Sequence, residues 1–509
     1  MEKISNPLVL ALDSSTSATK AVVVNDAGET VSEGRAPIEL LTPGMHRYEH
    51  DPVQWWESTH KAISDAVSAL SDEDRKRIKA LSISHQRESF ACVDEDGNAI
   101  RPAILWLDSR AGEQIVKYGS DHIHELSGKP ADTTPALYKI AWLKENEPET
   151  LEQATYLVDV HAYLTYKLTG QWVSSTGSAD TLNLFEIANQ TWSDELLEIA
   201  GLRCDQLPEL AKPGSIIAPI RAELAEEFGL DEVQVVAGLG DGQAAGLGTA
   251  ATEPGVAYLN VGTSIVSGIH ADKYRFGKQY RTLVAGIPDW YVLESVQNSG
   301  SVLGNWFRAN FHNPEEGGKP DLELDEEVEK IEPGSEGLLT LPYWNAVQSP
   351  YWNPFARGAV VGFGSGHTKV HTYRSLLEGM GFELALNLEG MAAGADTDIK
   401  ELRAVGGGSR SRVWRQILCD ITGVEMVTST IDEVSAQGVA VLAMYAIGRF
   451  DSVNEASQAM AHLSDERTKP NPEAHERYRK WMKVHRKLYP ALAEIFDDIQ
   501  DVAKELGHL

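Results

Sequence analysis

The chain has 509 residues, 45 basic and 75 acidic side chains, a formal charge of −30, and 42% apolar residues. One hydrophobic core stops growing at roughly 250–300 residues, so two domains are expected. The acidic balance, with no basic patch, speaks against nucleic acid or anionic membranes as partners. Cysteine occurs only as Cys92, Cys204 and Cys419, without a CxxC pair, which argues against a disulfide framework or zinc ribbon and for a reducing, cytoplasmic setting. The first apolar run, residues 7–12, is too short for a signal peptide or a membrane span.

In chain order, the N-terminus reads as a buried strand (LVLALD), a turn of small hydroxyl residues (SSTSAT) and a second apolar run (KAVVV). It closes on the turn signal Asn25-Asp26-Ala27-Gly28 and predicts a β-hairpin. Asp51-Pro52 opens an amphipathic helix with Trp55, Trp56, Ile63, Val67 and Leu70 on one face, and IKALSIS follows as a strand. That strand ends in His85-Gln86-Arg87-Glu88, and Trp106-Leu107-Asp108-Ser109-Arg110 closes the strand after Pro102. A further strand, VQVVAG, runs into Gly238-Leu239-Gly240-Asp241-Gly242-Gln243. Near residue 255 the opening pattern restarts as GVAYLNV, the turn Gly262-Thr263-Ser264 and IVSGI, so that Thr263-Ser264 matches Thr16-Ser17. The restart predicts a duplicated domain, with a first unit over 1–252, a second over 253–470 and a helical extension over 471–509. The segment 315–337, rich in Glu, Asp, Gly and Pro, reads as a solvated excursion with a short acidic helix.

Five places could carry chemistry. Asp13, followed by hydroxyls and Lys20, offers a carboxylate at a strand end beside a turn suited to phosphate; a plain hydroxyl-rich β-turn is the alternative there. The second turn, Gly262 to Ser264, repeats the chemistry, and two such turns suggest phosphates clamped between domains. Gly406, Gly407 and Gly408 lie at a strand-to-helix junction where backbone can approach a flat ring or a pyrophosphate, although GxGxxG fails because Ser411 stands where the last glycine would be. Asp241 between glycines can accept a proton from a hydroxyl, or serve only as an Asx-turn residue. Arg87-Glu88 could read adjacent hydroxyls, with Trp106 as an apolar wall, or be a surface ion pair and a core tryptophan.

These pieces, in this order, resemble the FGGY family of carbohydrate kinases. The likeness runs from LALDSSTSATKAVVV through HQRESF, ILWLDSRA, GLGDGQAAGLG, YLNVGTS and SPYWNPFARGAVVGF to AVGGGSRSRVWRQILCDITG and EVSAQGVAVLAM. The resemblance implies an α/β chain of two actin-like (ribonuclease-H-like) domains with an ATP and substrate cleft between them. It implies adenine against Gly406, Gly407 and Ser411, phosphates between Thr16, Ser17 and Lys20 on one side and Gly262 and Thr263 on the other, and Mg²⁺ organised by Asp13 and Asp241. Sugar would meet Gln86, Arg87, Glu88 and Trp106, with Asp241 as catalytic base. Gln86-Arg87-Glu88 is similar to the triplet of glycerol kinases, while WLDSR, PYWNP and GGGSRSRVW are similar to xylulokinases. Thr134 and Gly242 replace larger residues of glycerol kinases and are expected to open the pocket, and Lys20 stands where those enzymes have Arg. The expected reaction is ATP-dependent phosphorylation of a terminal hydroxyl of D-xylulose. Glycerol, ribulose or erythritol is the alternative, and a nucleotide-switched actin-like non-enzyme is the reading from a different class. The only partner expected is the small sugar or polyol; a homodimer stays open.

Overall fold

The computed structural model describes residues 6–311 and 320–506. The predicted hairpin forms: β1 (Leu8–Ser14) and β2 (Ala18–Asn25) pair antiparallel, and β3 (Thr30–Pro37) continues from β2. β4 (Ile78–His85) joins β1 in parallel, followed by β6 (Gln234–Gly240), with β5 (Ile216–Pro219) at the edge. The six-stranded order is β5-β6-β4-β1-β2-β3. Both faces of the sheet are covered at its centre, which is why β1, β2, β4 and β6 read as almost continuous apolar runs. Leu8, Leu10 and Leu12 point to helix α1 (Pro52–Ser68), while Val9 and Ala11 point to the other face, the period-2 alternation of a strand. Asp51 caps α1 by accepting from Val53 N–H at 3.0 Å.

The restart near residue 255 is a second sheet of the same plan. β7 (Val256–Val261) and β8 (Ile265–Ala271) form its hairpin, β9 (Arg281–Val284) and β10 (Tyr291–Gln297) extend one side, and β11 (Glu401–Val405), β12 (Glu425–Ser429) and β13 (Leu463–Thr468) the other. The order is β9-β10-β8-β7-β11-β12-β13, with β7/β8 and β8/β10 antiparallel and β7/β11 and β11/β12 parallel. Setting aside the edge strands, each sheet has the sequence third-second-first-fourth-fifth, with identical strand directions.

Two helices join the lobes. α2 (Asp241–Gly248) leaves β6, and α5 (Val434–Ala446) follows β12. α5 lies on the first sheet, where Ala436, Val439 and Ala440 share a core with Val9, Ala11, Val22 and Val24. α2 leans on the second sheet at Tyr258 and Val405. Helices α3 (Lys369–Ala395) and α4 (Arg412–Thr422) cover the outer face of the second sheet. The predicted C-terminal extension is helical, Pro472–His485 and Leu488–Glu505, and Tyr478 and Met482 enter the second core. Of the acidic stretch expected over 315–337, residues 315–319 lie outside the described residues; the rest carries a short helix, Pro320–Val328, anchored by Leu324 and Val328. An additional five-stranded sheet between β3 and β5 was not expected from sequence; its strands include Phe90–Val93 and Ala103–Ile104, which flank the loops bearing Arg87 and Trp106. No helix among the described residues is long and apolar enough to cross a membrane.

Candidate active site

The β1–β2 turn forms one wall of the cleft between the lobes. Register sets Asp13 opposite Lys20 and Ser84, and the Ser84 hydroxyl donates to Asp13 Oδ1 at 3.0 Å. Burial, and next the Asp241 carboxylate, push the Asp13 carboxyl up to about 6. Lys20 is engaged across the cleft, its Nζ at 2.5 and 2.6 Å from the two carboxylate oxygens of Glu433. Ser17 is exposed. Thr16 faces Trp106 and Gln86: Trp106 Nε1 donates to its hydroxyl at 3.0 Å, and the hydroxyl donates on to Gln86 Oε1 at 3.4 Å. Gln86 itself is buried and donates to Ser15 O at 3.2 Å, so it braces the turn from behind.

Across the cleft, the carbonyls of Gly262 and Thr263 accept from Ser301 and Gly300 N–H at 2.8 and 2.9 Å, fixing the second turn against the helix Ser301–Phe311. Parallel pairing of β7 with β11 brings Gly406 beside Asn260. Gly406 has φ +87°, and a Cβ there would stand 2.5 Å from Asn260 Oδ1, so only glycine fits without strain. Gly406 and Gly407, with Ser409, Arg415 and Thr428, line a cleft of about 290 Å³. Ser411 is not in that lining; its hydroxyl caps α4 by accepting from Trp414 N–H at 3.1 Å and donates to Asp325 at 2.8 Å.

Asp241 stands at the end of β6 as the first residue of α2, with 47% of its side chain exposed. Its Oδ1 accepts from Gly242 N–H at 2.7 Å and lies 2.9 Å from Arg87 Nε. The strand that delivers it is braced by His161 Nε2, which accepts from Gly238 N–H at 2.9 Å; burial holds that imidazole neutral, down to about 3. His50 is also buried, accepting from Trp55 Nε1 at 3.0 Å. Arg87 continues to Glu294 with Nη1 at 2.9 and 3.1 Å from its oxygens, Arg281 bonds Glu294 through Nε at 2.8 Å, and Arg281 Nη1 reaches Glu88 Oε1 at 2.8 Å. Asp241, Arg87, Glu294, Arg281 and Glu88 thus form a ladder of alternating charge across the two lobes. Gly242 does not open the pocket as expected: the position its Cβ would take lies 2.6 Å from Glu294 Oε2 and 2.9 Å from Arg87 Nη2, so those side chains occupy the space.

The duplicated sheets, the interlobe cleft and a solvent-facing aspartate at a strand end make comparison with known proteins specific. Residues 8–248 match the model of the N-terminal domain, and residues 257–447 that of the C-terminal domain, of the FGGY family of carbohydrate kinases. The chain belongs to this family. The kinase is 28% identical to the gluconokinase of Bacillus subtilis (strain 168) over 98% of both chains, and 28% identical to the xylulose kinase of Lactococcus lactis over 96% of this chain and 97% of that one. It is similar to the solved structure of ligand-bound xylulose kinase from Lactobacillus acidophilus, with a TM-score of 0.90 and 26% identity over 97% of this chain and 100% of the other. FGGY membership makes the protein a carbohydrate phosphotransferase and sets aside the non-enzymatic actin-like reading.

Sequence reasoning did not find Glu294, Arg281, Tyr258 or Glu433. A signal was present for the first: a glutamate in the middle of YVLESVQ, a strand that is otherwise almost wholly uncharged and buried, must be paired or it would not be tolerated there.

Proposed function

We propose that this kinase transfers the γ-phosphoryl group of ATP to a terminal hydroxyl of a small neutral ketose, with D-xylulose as the first candidate. The observation that carries the reading is Asp241, a half-exposed carboxylate oriented by Arg87 and Gly242 N–H at the mouth of the interlobe cleft. From there it can accept the proton of an attacking hydroxyl. The phosphates would lie between the turn of Thr16, Ser17 and Lys20 and that of Gly262 and Thr263, with adenine in the cleft at Gly406 and Gly407. For Lys20 to meet a phosphate it must exchange Glu433 for it. Asp13 and Asp241 fit a divalent cation: two neighbouring carboxylates, one held up near 6 largely by burial and by the other, are relieved by positive charge. Mg²⁺ held there, through water at Asp13, would neutralise charge on the transferring phosphoryl group.

Charge argues for a neutral acceptor over a sugar acid. The ladder holds three carboxylates against two guanidinium groups, and both arginines are already paired. Lys139, fully buried near Trp106, directs its ammonium to the carbonyl oxygens of Thr134 and Thr133 at 2.6 and 3.1 Å. A gluconate carboxylate would add a fourth negative group to this set. Glycerol is the second reading, favoured by the space that Glu294 and Arg87 take beside Gly242.

The test is ADP release from Mg-ATP with D-xylulose, L-xylulose, D-ribulose, L-ribulose, glycerol, erythritol and D-gluconate. The expected outcome is preference for a ketopentose, and faster turnover of gluconate than of every neutral acceptor would defeat the charge argument. Asp241→Asn should bind ATP as the wild type does and lose about 10²-fold or more in kcat. Near-native turnover in that variant would remove the base from Asp241.

A further inference from the structure

Glu294 sits at the centre of β10 with none of its side chain exposed. A buried carboxylate survives only where charges and hydrogen bonds match it. Here the match is complete. Arg87 and Arg281 both bond it, and Tyr258 donates its hydroxyl to Oε2 at 2.6 Å. Burial alone would raise its carboxyl, but the two arginines outweigh that and hold it down at about 2. The same two arginines hold the exposed carboxylate of Asp241 and the buried carboxylate of Glu88. One carboxylate of the second lobe therefore fixes both cations that orient the acidic groups of the first.

The backbone around it is cut back to admit this arrangement. A Cβ at Gly242 would meet Glu294 Oε2 at 2.6 Å, one at Gly240 would meet the Arg87 side chain at 2.5 Å, and one at Gly268, opposite Glu294 in the sheet, would meet the Tyr258 ring and hydroxyl at 2.5 Å. Glu88, at the far end of the ladder, has φ +60°, a strained position for a residue other than glycine.

We infer that Glu294 is a positioning residue for phosphoryl transfer: by fixing Arg87 it sets the direction of the Asp241 carboxylate, and by fixing Arg281 it holds Glu88. The inference rests on the kinase reading in which Asp241 is the base. It makes the sugar clamp a joint product of both lobes, complete only when β10 is seated against the Arg87 loop. A mere interlobe pin would behave differently, lowering thermal stability while leaving the folded enzyme's kinetics unchanged.

Glu294→Gln keeps the shape and removes the charge. It is compared with the wild type in thermal unfolding, in kinetics with Mg-ATP and the panel acceptor that the wild type turns over fastest, and in crystal structures of both. The expected result is a fall in kcat of roughly 10²-fold, since a displacement of about 1 Å at a reacting group costs that much, with KM for ATP unchanged and the Arg87 guanidinium turned away from Asp241 in the crystal. Gly242→Ala crowds the same pair and should show the same fall in kcat, which keeps the test open should Glu294→Gln not fold. Unchanged kcat in either folded variant, or an Arg87 to Asp241 ion pair still in place in the Glu294→Gln crystal, overturns the inference. A wild type silent on every acceptor fails the substrate assignment instead, and the crystal comparison then decides the role of Glu294 by itself.

Discussion

At the scale of single residues, Asp13 shows the tension between site and fold. Its carboxyl is raised from 3.8 to about 6 in the folded chain, so folding favours its protonated form. The stability linked to that proton is fully present below about pH 4 and is lost as pH rises through 6. Asp13→Asn should therefore be more stable than the wild type at pH 8 in the absence of divalent cations, by about 3 kcal/mol, and lose that advantage near pH 4. Calorimetry across pH checks this, and an advantage that grows towards acid would contradict it. Of the candidates named from sequence, Asp13, Glu88, Asp241 and Gly406 lie at or just past strand ends next to glycines or small hydroxyls, and Arg87 adjoins them between Gln86 and Glu88; such composition singles out a candidate site. The strand around Glu294 announces only that it must be paired, and neither it nor Glu433 names its cross-lobe partner, because Arg87 and Lys20 are 207 and 413 residues away in the chain.

At the scale of elements, α2 and α5 cross at their glycines. A Cβ on Gly438 would stand 1.8 Å from Ala244 O, and one on Gly248 would stand 2.0 Å from Val434 O, so the two backbones touch without intervening side chains. Gly438→Ala should destabilise the protein by about 1–3 kcal/mol as the helices are forced apart. Because Asp241 opens one helix and Glu433 caps the other, the same change should also lower kcat; a chemical denaturation curve beside an activity assay tests both, and native stability in this variant would mean the crossing is not rigid. The central strands β1, β2, β4, β6, β7 and β8 could be read from their apolar runs, whereas β3 (TVSEGRAP) and β13 (LSDERT) are too polar to be read that way. The five-stranded insertion could not be read as a sheet: a strand after Pro102 is expected, but strands as short as Ala103–Ile104 and Phe90–Val93 show no period that would pair them. Their pairing is fixed by contacts with Arg47–His50 and Tyr156–Asp159, far off in sequence.

At the scale of the whole molecule, the second sheet begins with Val256, beside the restart near residue 255, yet the cores do not divide there. The face of the first sheet bearing Val9, Ala11, Val22 and Val24 is completed by α5 and by Val453, Ala456 and Met460 from the second half of the chain. Unfolding should then be one calorimetric transition, since the inner face of the first sheet loses its cover when the second half melts. A fragment of residues 1–252 should be insoluble or bind hydrophobic dyes, and a fragment that folded with native stability would show that the first lobe closes alone. Sequence periodicity assigned α1 its apolar face, but a helix of small apolar residues such as VSAQGVAVLAMYA is buried all round and does not tell which sheet receives it.

That shared core also sets a timetable for synthesis. The first sheet can assemble once β6 has left the ribosome, but its open face has no cover until Met460 has followed. With chains growing at roughly 5–20 residues per second, those intervening residues take roughly 10–40 s to make. Throughout that interval the nascent chain presents an uncovered valine and alanine surface, long enough to be recognised by chaperones before the enzyme is complete.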